Sequence, residues 1–344
     1  MAEAEFSCEV TGFAGLESEI LRLRNANRDR LETLEYLEWR YRCTADAPQP
    51  LVFWLLRAGG ERIGMASVVF RPYLIDQQRV VTAVVGDISL DVRWRGRGLG
   101  RRLLQYMTDH LDAHYPQLPA FVIPTEAARR VLTRLGWVTR GRLVPYVYVL
   151  DAQRYLRSFL RGESAARWIA GWLASAARTV TRWRAPKDGA LFVSDALDRS
   201  TLEFACALPG HGGAVRELTP ASLKWRYAEH PRTEFSIGRF YRAGELCGFV
   251  IFEDDMLGQS CSIYDLGATT TEDARAMLAL CVLRGLSSGL SSLRMILDER
   301  HPLRGCLRGL GFIARRADSV FQVHSRTGAA ESSEWFVTQG DKDT

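Results

Sequence analysis

Arg95-Gly96-Arg97-Gly98-Leu99-Gly100-Arg101-Arg102 is the stretch on which the reading of this 344-residue chain turns. The strand-like run Val84 to Leu90 leads into it. An amphipathic helix follows, with Leu103, Leu104, Met107 and Leu111 on one face. The stretch is therefore a strand-to-helix turn. A helix start carries partial positive charge and unpaired N–H groups, so it favours acids and disfavours bases. Here the reverse holds: no acid occurs between Asp91 and Asp109, while Arg93, Arg95, Arg97, Arg101 and Arg102 crowd the helix start. Such a cluster is stable when an anion sits in it, held by the N–H groups of a glycine-rich turn whose missing Cβ atoms permit close approach. The turn reads as a pyrophosphate cradle.

Two common owners of such a turn are excluded. A dinucleotide-binding turn wants G-x-G-x-x-G, and the position three after Gly98 is Arg101, where a helix should pack tightly on its strand. A nucleotide-triphosphate loop needs G-K-[ST] after its last glycine, and the chain has Gly100-Arg101-Arg102.

What remains resembles the acyl-CoA signature of the GNAT acyltransferase superfamily, [RQ]-x-x-G-x-[GA], matched by Arg95, Gly98 and Gly100. The approach Ile88 to Trp94 is similar to that of the family, with Val92 where a proline is commoner, and Val131-Leu132-Thr133-Arg134-Leu135-Gly136-Trp137 resembles its second motif. The resemblance implies an α/β fold of the α+β mixed-sheet kind, and acetyl-CoA as acyl donor to an amine. It implies that Leu90, Arg95, Gly96, Arg97, Gly98, Leu99, Gly100 and Arg101 hold the donor, with the Leu90 N–H polarising the thioester. Pantetheine would then lie between strands 84–90 and 120–123. Leu132 stands where many members carry a tyrosine acid. A thiol of pKa about 8.5 leaves without full protonation, and Tyr146 and Tyr148, alternating with Val147 and Val149, are candidate replacements if not packing residues. Asp87 is the favoured base over Glu126, and water-mediated deprotonation is the alternative.

The chain also repeats itself. Leu37-Glu38-Trp39-Arg40-Tyr41 recurs as Leu223-Lys224-Trp225-Arg226-Tyr227, Arg57-Ala58-Gly59 as Arg242-Ala243-Gly244, and Arg134-Leu135-Gly136-Trp137 as Gly309-Leu310-Gly311-Phe312. The offsets, 186, 185 and 175, are collinear, as duplication of a whole domain requires. Two tandem GNAT-like domains are expected, each a mixed sheet covered by helices, with the Trp-Arg-Tyr segments as helical packing elements. The expected units are an acetyltransferase domain over 1–150, a basic linker helix over 151–190, a degenerate copy over 191–327 and a loose tail over 328–344 that Trp335 and Phe336 would let dock. Opposite the arginine-glycine turn the second copy carries Thr270-Thr271-Glu272-Asp273, a capping-box spacing with its own acids. That copy should not hold CoA. Asp265 aligns with Asp87, so a residue that the inactive copy keeps is also a candidate for a structural part.

Composition narrows the remaining possibilities. Apolar residues at 47% and charged residues at 25% are ordinary for globular chains of two domains. No apolar run reaches membrane-span length and no signal-like segment follows Met1, so a cytoplasmic protein is expected. Seven cysteines without a C-x-x-C pair read as reduced and buried, and six histidines form no convincing metal site, so no metal is assigned. Segment 151–187 holds eight bases against two acids, which accounts for more than the whole net charge of +5 and leaves no protein-wide nucleic-acid surface. With Trp168 and Trp172 at helical spacing, it reads as a bridging helix or, on the second reading, as a peripheral membrane contact through 154–184. Two other functions stay open: an acyl-CoA-binding protein without turnover, and a cell-wall peptide-forming ligase of related tandem fold, against which the Arg95-Gly98-Gly100 cradle argues.

Overall fold

The computed structural model describes residues 5–28, 31–42, 51–152, 154, 179, 186, 188–208, 212–255, 257, 259–317, 319–326 and 333–341. The first half runs β1 (Phe6–Thr11), α1 (Glu17–Asn25), α2 (Leu34–Arg40), β2 (Val52–Ala58), β3 (Glu61–Ile75), β4 (Gln78–Leu90), α3 (Leu99–His114), β5 (Ala120–Val122), α4 (Glu126–Arg134) and β6 (Val138–Val149). The second half repeats this order with two differences, an added short strand between its first two helices and two strands in place of one at its end. It has β7 (Gly189–Ser194), α5 (Arg199–Ala207), β8 (Ala214–Arg216), α6 (Pro220–Leu223), β9 (Ser236–Arg242), β10 (Glu245–Asp255), β11 (Ser260–Ala268), α7 (Thr271–Ser287), β12 (Ser292–Asp298), α8 (Arg304–Leu310), β13 (Ile313–Ala314) and β14 (Ser319–His324). The duplication expected from the sequence is thus a duplication of elements.

Local chemistry sets several boundaries. Thr33, Thr125, Asp198 and Thr270 each lend a side-chain oxygen to an N–H of the first turn of the helix that follows. Both hairpins turn where the repeat placed them, at Gly59-Gly60 and at Ala243-Gly244. Ala243 and Gly244 both have positive φ (49° and 86°), as tight two-residue hairpins require.

All the strands join one mixed sheet in the order β1-β2-β3-β4-β5-β14-β6-β12-β11-β10-β9-β7, with β13 and β8 as side branches on β6 and β3. The halves exchange strands. The chain's last strand, β14, sits between β5 and β6, pairing Gln322–His324 with Ala120–Val122 and Ser319–Val323 with the first part of β6. The second part of β6 pairs with β12 on one edge and with β13 on the other. A unit ending at residue 150 therefore lacks a central strand, and a unit over 191–327 lacks another.

A near-twofold relation fixes the contact between the halves. Trp39 and Trp225, 186 residues apart, stack at 5.0 Å with planes 16° apart, and each indole N–H donates to the other's backbone carbonyl at 2.7 Å. The segment carrying Trp225 departs from regular α geometry: α6 runs into a π-type turn over Lys224–Ala228. The tail is not loose over 333–341. Trp335, Phe336 and Val337 are buried, Trp335 stacks on Phe121 at 5.6 Å, and the segment bonds to Ala214 and to Asp298. Apolar area removed from water outweighed the polar composition of its flanks. The Trp168 and Trp172 stripe lies outside the described residues.

Candidate active site

In each half two parallel central strands pair only briefly and then separate. Strand β4 pairs with β5 over Ala83–Val85, and β11 pairs with β12 over Ser260–Ile263. Beyond Val85, β4 carries a bulge, because Met65 faces Ser89 while Ser67 faces Gly86, leaving Asp87 and Ile88 opposite Ala66. Asp87 sits in the left-handed region at φ 51°. Past the bulge, β4 has no ladder pairing with β5, which leaves a gap along that edge of Ile88–Leu90.

Strand alternation then fixes where Leu90 points. Asp91 N–H donates to the Ile63 carbonyl on β3 at 2.8 Å, so the N–H one residue earlier, that of Leu90, projects from the opposite edge into the gap that β5 leaves. Gly64, facing Leu90, permits this approach: a Cβ there would stand 2.9 Å from Leu90 Cδ1 and 3.1 Å from the Ser89 carbonyl.

Past Leu90, Asp91 accepts from Arg93 N–H and closes a 3₁₀ turn over Val92–Trp94. Arg95 is extended, Gly96 and Gly98 have φ of 78° and 75°, and α3 begins at Leu99 with no acid in its first turn and no side-chain cap. The first hydrogen bond of the helix runs from Arg102 N–H to the Gly98 carbonyl at 3.2 Å, so the N–H groups of Leu99, Gly100 and Arg101 precede it. A Cβ added at Gly96, Gly98 or Gly100 would meet nothing within 4 Å, so the turn borders open space at these positions. This fits a pyrophosphate.

The arginines divide. Arg93 is consumed within the protein, bonding Asp91 and Glu61, and its guanidinium holds the Asp91 carboxyl below the usual carboxylate range. Arg102 donates to the Phe6 carbonyl at 2.8 Å. Arg95, Arg97 and Arg101 are exposed around the open turn, with Arg97 over the Trp94 ring at 5.0 Å and Arg95 bonded to Asn27. Asn27 in turn donates to Ser89 Oγ at 2.6 Å and to the Leu90 carbonyl at 2.9 Å, which ties the loop after α1 to both cradle and strand end. Sequence reasoning missed Asn27, and no local pattern marks it.

The other candidates are placed elsewhere. Both oxygens of Asp87 are engaged, by Arg24, Arg40, Tyr41 and Ser67, with Arg28 at 3.7 Å. A carboxylate so employed is an anchor of α1 and α2 on β4, and taking up an amine proton would break that anchor. Glu126 is no better, because hydrogen bonds from Arg129 and Arg130 hold its carboxyl down at about 2. Tyr146 and Tyr148 share one face, as expected, but it is the wrong one: both are buried in the core that β12, α7 and α8 build in the second half, and burial pushes the Tyr146 phenol up. Leu132 is fully buried beside Leu104, Met107 and Trp137.

The equivalent turn in the second half is closed. Thr270 Oγ1 accepts from Asp273 N–H at 3.0 Å, and Asp273, itself buried, pairs with Arg242 at 2.7 Å. The cleft beside it, about 660 Å³, is lined by Asp265, Asp341, Glu217, Arg216 and His301 together with threonines and apolar residues. Carboxylates outnumber the arginine there. Among the described residues no group of three or more metal-ligating side chains occurs, and no helix is long and apolar enough to cross a membrane.

An uncapped arginine-glycine helix start thus lies beside parallel strands that pair only briefly, in a sheet built twice. Residues 18–137, less than half of the chain, match the model of the Acetyltransferase (GNAT) family. Among solved structures it is similar to a probable N-acyltransferase of Enterococcus faecalis V583 (TM-score 0.68, 12% identity, covering 95% of this chain and 74% of that one). It is also similar to a GCN5-related N-acetyltransferase of Kribbella flavida (TM-score 0.60, 15% identity, covering 95% and 73%). A tandem GNAT protein from the clavulanic acid biosynthesis pathway matches with TM-score 0.56 and 14% identity, covering 94% of this chain and 99% of that one. At such identities these likenesses concern the fold. A search of curated proteins found no match.

Proposed function

We propose that the first half transfers acetyl from acetyl-CoA to the amine of a small molecule or amino sugar by direct attack, and that the second half shapes the site without binding CoA. The observation that carries this is the turn at Gly96–Gly100, where three N–H groups precede the first helix hydrogen bond, the glycines border open space, and Arg95, Arg97 and Arg101 are exposed nearby in the chain. Backbone N–H groups and the helix start would hold the pyrophosphate, Arg95, Arg97 and Arg101 would neutralise it, and pantetheine would follow the gap between β4 and β5.

Holding the donor in this way turns a bimolecular encounter into a positioned one. The amine nitrogen attacks the thioester carbonyl carbon, and the Leu90 N–H stabilises the oxyanion that forms. The C–S bond then breaks, the thiolate leaves with the electron pair, and the nitrogen loses its proton to water. No side chain in the cleft is assigned as base, since Asp87 is caged and Glu126 is held ionised by its arginines. Leaving as thiolate needs no full proton transfer, which is consistent with apolar Leu132 at the position of the family's tyrosine.

The decisive experiment measures thiol release from acetyl-CoA against an amine panel, alongside calorimetry of CoA binding. Turnover that requires an amine supports the transferase. Tight binding with no release under any amine would make the chain an acyl-CoA-binding protein, the reading that Leu132 favours.

A further inference from the structure

Asn27 holds three groups with one side chain. Its amide N–H groups donate to the Leu90 carbonyl at 2.9 Å and to Ser89 Oγ at 2.6 Å, and its oxygen accepts from the Arg95 guanidinium. Two of these three are groups that the donor would use. Asp91 N–H is turned to β3, so Leu90 presents both its N–H and its C=O to the gap along β4. The carbonyl stands on the cradle side of that N–H, and a pantetheine chain reaching from the cradle to the thioester brings amide N–H groups past it. Arg95 is exposed beside the turn and is the first arginine of the cradle. In the free chain one amide thus occupies both ends of the path between pyrophosphate and thioester.

Each group that Asn27 holds has another partner once the donor is in place. The Leu90 carbonyl exchanges one neutral amide for another. Arg95 exchanges an uncharged oxygen for a phosphate oxygen, and charge-assisted hydrogen bonds are roughly twice as strong as neutral ones. Ser89 Oγ keeps its bond to the Leu23 carbonyl at 2.9 Å. The Asn27 side chain is exposed and returns to water, while Asn25 exchanges two hydrogen bonds with the Glu32 backbone, at 3.1 and 2.8 Å, and so holds the end of α1 without it. We infer that Asn27 is a placeholder in the donor site: it occupies the Leu90 carbonyl and Arg95 in the free chain, and the donor displaces it. The inference rests on the first half holding the donor as proposed above. It makes Asn27 a determinant of donor specificity, because a ligand with pyrophosphate alone or amides alone replaces one of these two bonds and leaves Asn27 held at the other.

The test is calorimetry on the full chain with three probes: CoA, ADP, which carries a pyrophosphate without pantetheine, and pantetheine, which carries the amides without pyrophosphate. In Asn27→Ala no bond has to be given up, so CoA should bind roughly 2- to 10-fold tighter than to the wild type, the range for one net hydrogen bond. ADP and pantetheine should each gain as well. Asn27→Asp keeps an acceptor for Arg95 and adds a charge that opposes phosphate, so it should weaken ADP while pantetheine, free to take the Leu90 carbonyl, is not weakened. A CoA affinity that is unchanged or lower in Asn27→Ala overturns the inference and makes Asn27 a support of the site. Because Asn27 is exposed, both variants should keep their fold, and urea transitions at the wild-type position check this. If the wild-type chain binds no CoA, the donor site falls and the placeholder with it. If it binds CoA and releases no thiol with any amine, the Asn27 comparison is still read in full and only the transferase reading falls, so the two failures are distinguishable.

Discussion

Gly98→Asp separates binding from folding more cleanly than any other change at the site. Gly98 has φ 75°, and a side chain there would meet nothing within 4 Å, so the cost to the folded state is the left-handed backbone alone, about 1 to 2 kcal/mol. The cost to the ligand is larger. A carboxylate placed about 4 Å from one phosphate charge, in a partly solvated site, opposes it by about 4 kcal/mol, or about three orders of magnitude in affinity. Gly98→Ala carries the same backbone strain without the charge and should lose much less. Calorimetry with CoA and urea unfolding of all three proteins give the comparison. A folded Gly98→Asp protein with unchanged CoA affinity would refute the cradle, and equal losses in the Ala and Asp variants would refute the electrostatic part of the reasoning.

Other outcomes follow from the same geometry. CoA should bind at one equivalent per chain, because Thr270 and Asp273 close the second turn; native mass spectrometry showing two would overturn that reading. Trp39→Ala should destabilise the chain by about 3 to 5 kcal/mol, the range for removing a buried aromatic, and in a double-mutant cycle it should couple strongly to Trp225→Ala because each indole bonds the other's backbone. Independent urea transitions for the two halves would contradict this. Burial raises the Asp298 carboxyl to about 6, so the folded state holds its proton more tightly than the unfolded chain does. That stabilising contribution is complete below the unfolded value and is lost as pH rises through about 6. Asp298→Asn should therefore help stability at pH 8 and matter little at pH 4, as paired urea melts would show.

The glycine-arginine turn and the duplication were legible because both are local in sequence. A glycine at positive φ and a helix start without an acid leave their mark within a few residues, and Trp-Arg-Tyr recurs as a block. The strand exchange was not legible. Alternation tells that Ser319–His324 is a strand but not which edge it joins, and the choice of β5 and β6 is a long-range packing outcome. The same blindness misplaced two tyrosines: Tyr146 and Tyr148 do share a face, yet β6 crosses from one half to the other before reaching them. Asp87 stood at the right place on β4, but its partners Arg24, Arg40 and Tyr41 come from helices far away in the chain.

The exchange also bears on why the two halves stay together in one chain. In a sheet where β14 lies between β5 and β6, and β6 continues into the second half, neither half closes its core without the other. The first half's cleft opens between β4 and β5, and β5 is held on its far edge by β14. Removing residues 319–344 should thus cost more than the apolar area of the tail, since it leaves Ala120–Val122 unpaired on that edge beside the cleft and uncovers Phe121 from Trp335. Such a truncated chain should lose CoA binding together with cooperative unfolding, although no residue assigned to the donor has been touched. If instead it folds and binds CoA as the full chain does, β14 is an accessory to the first half, and the second half's contribution lies in its other contacts, β12 on β6 and Trp225 on Trp39.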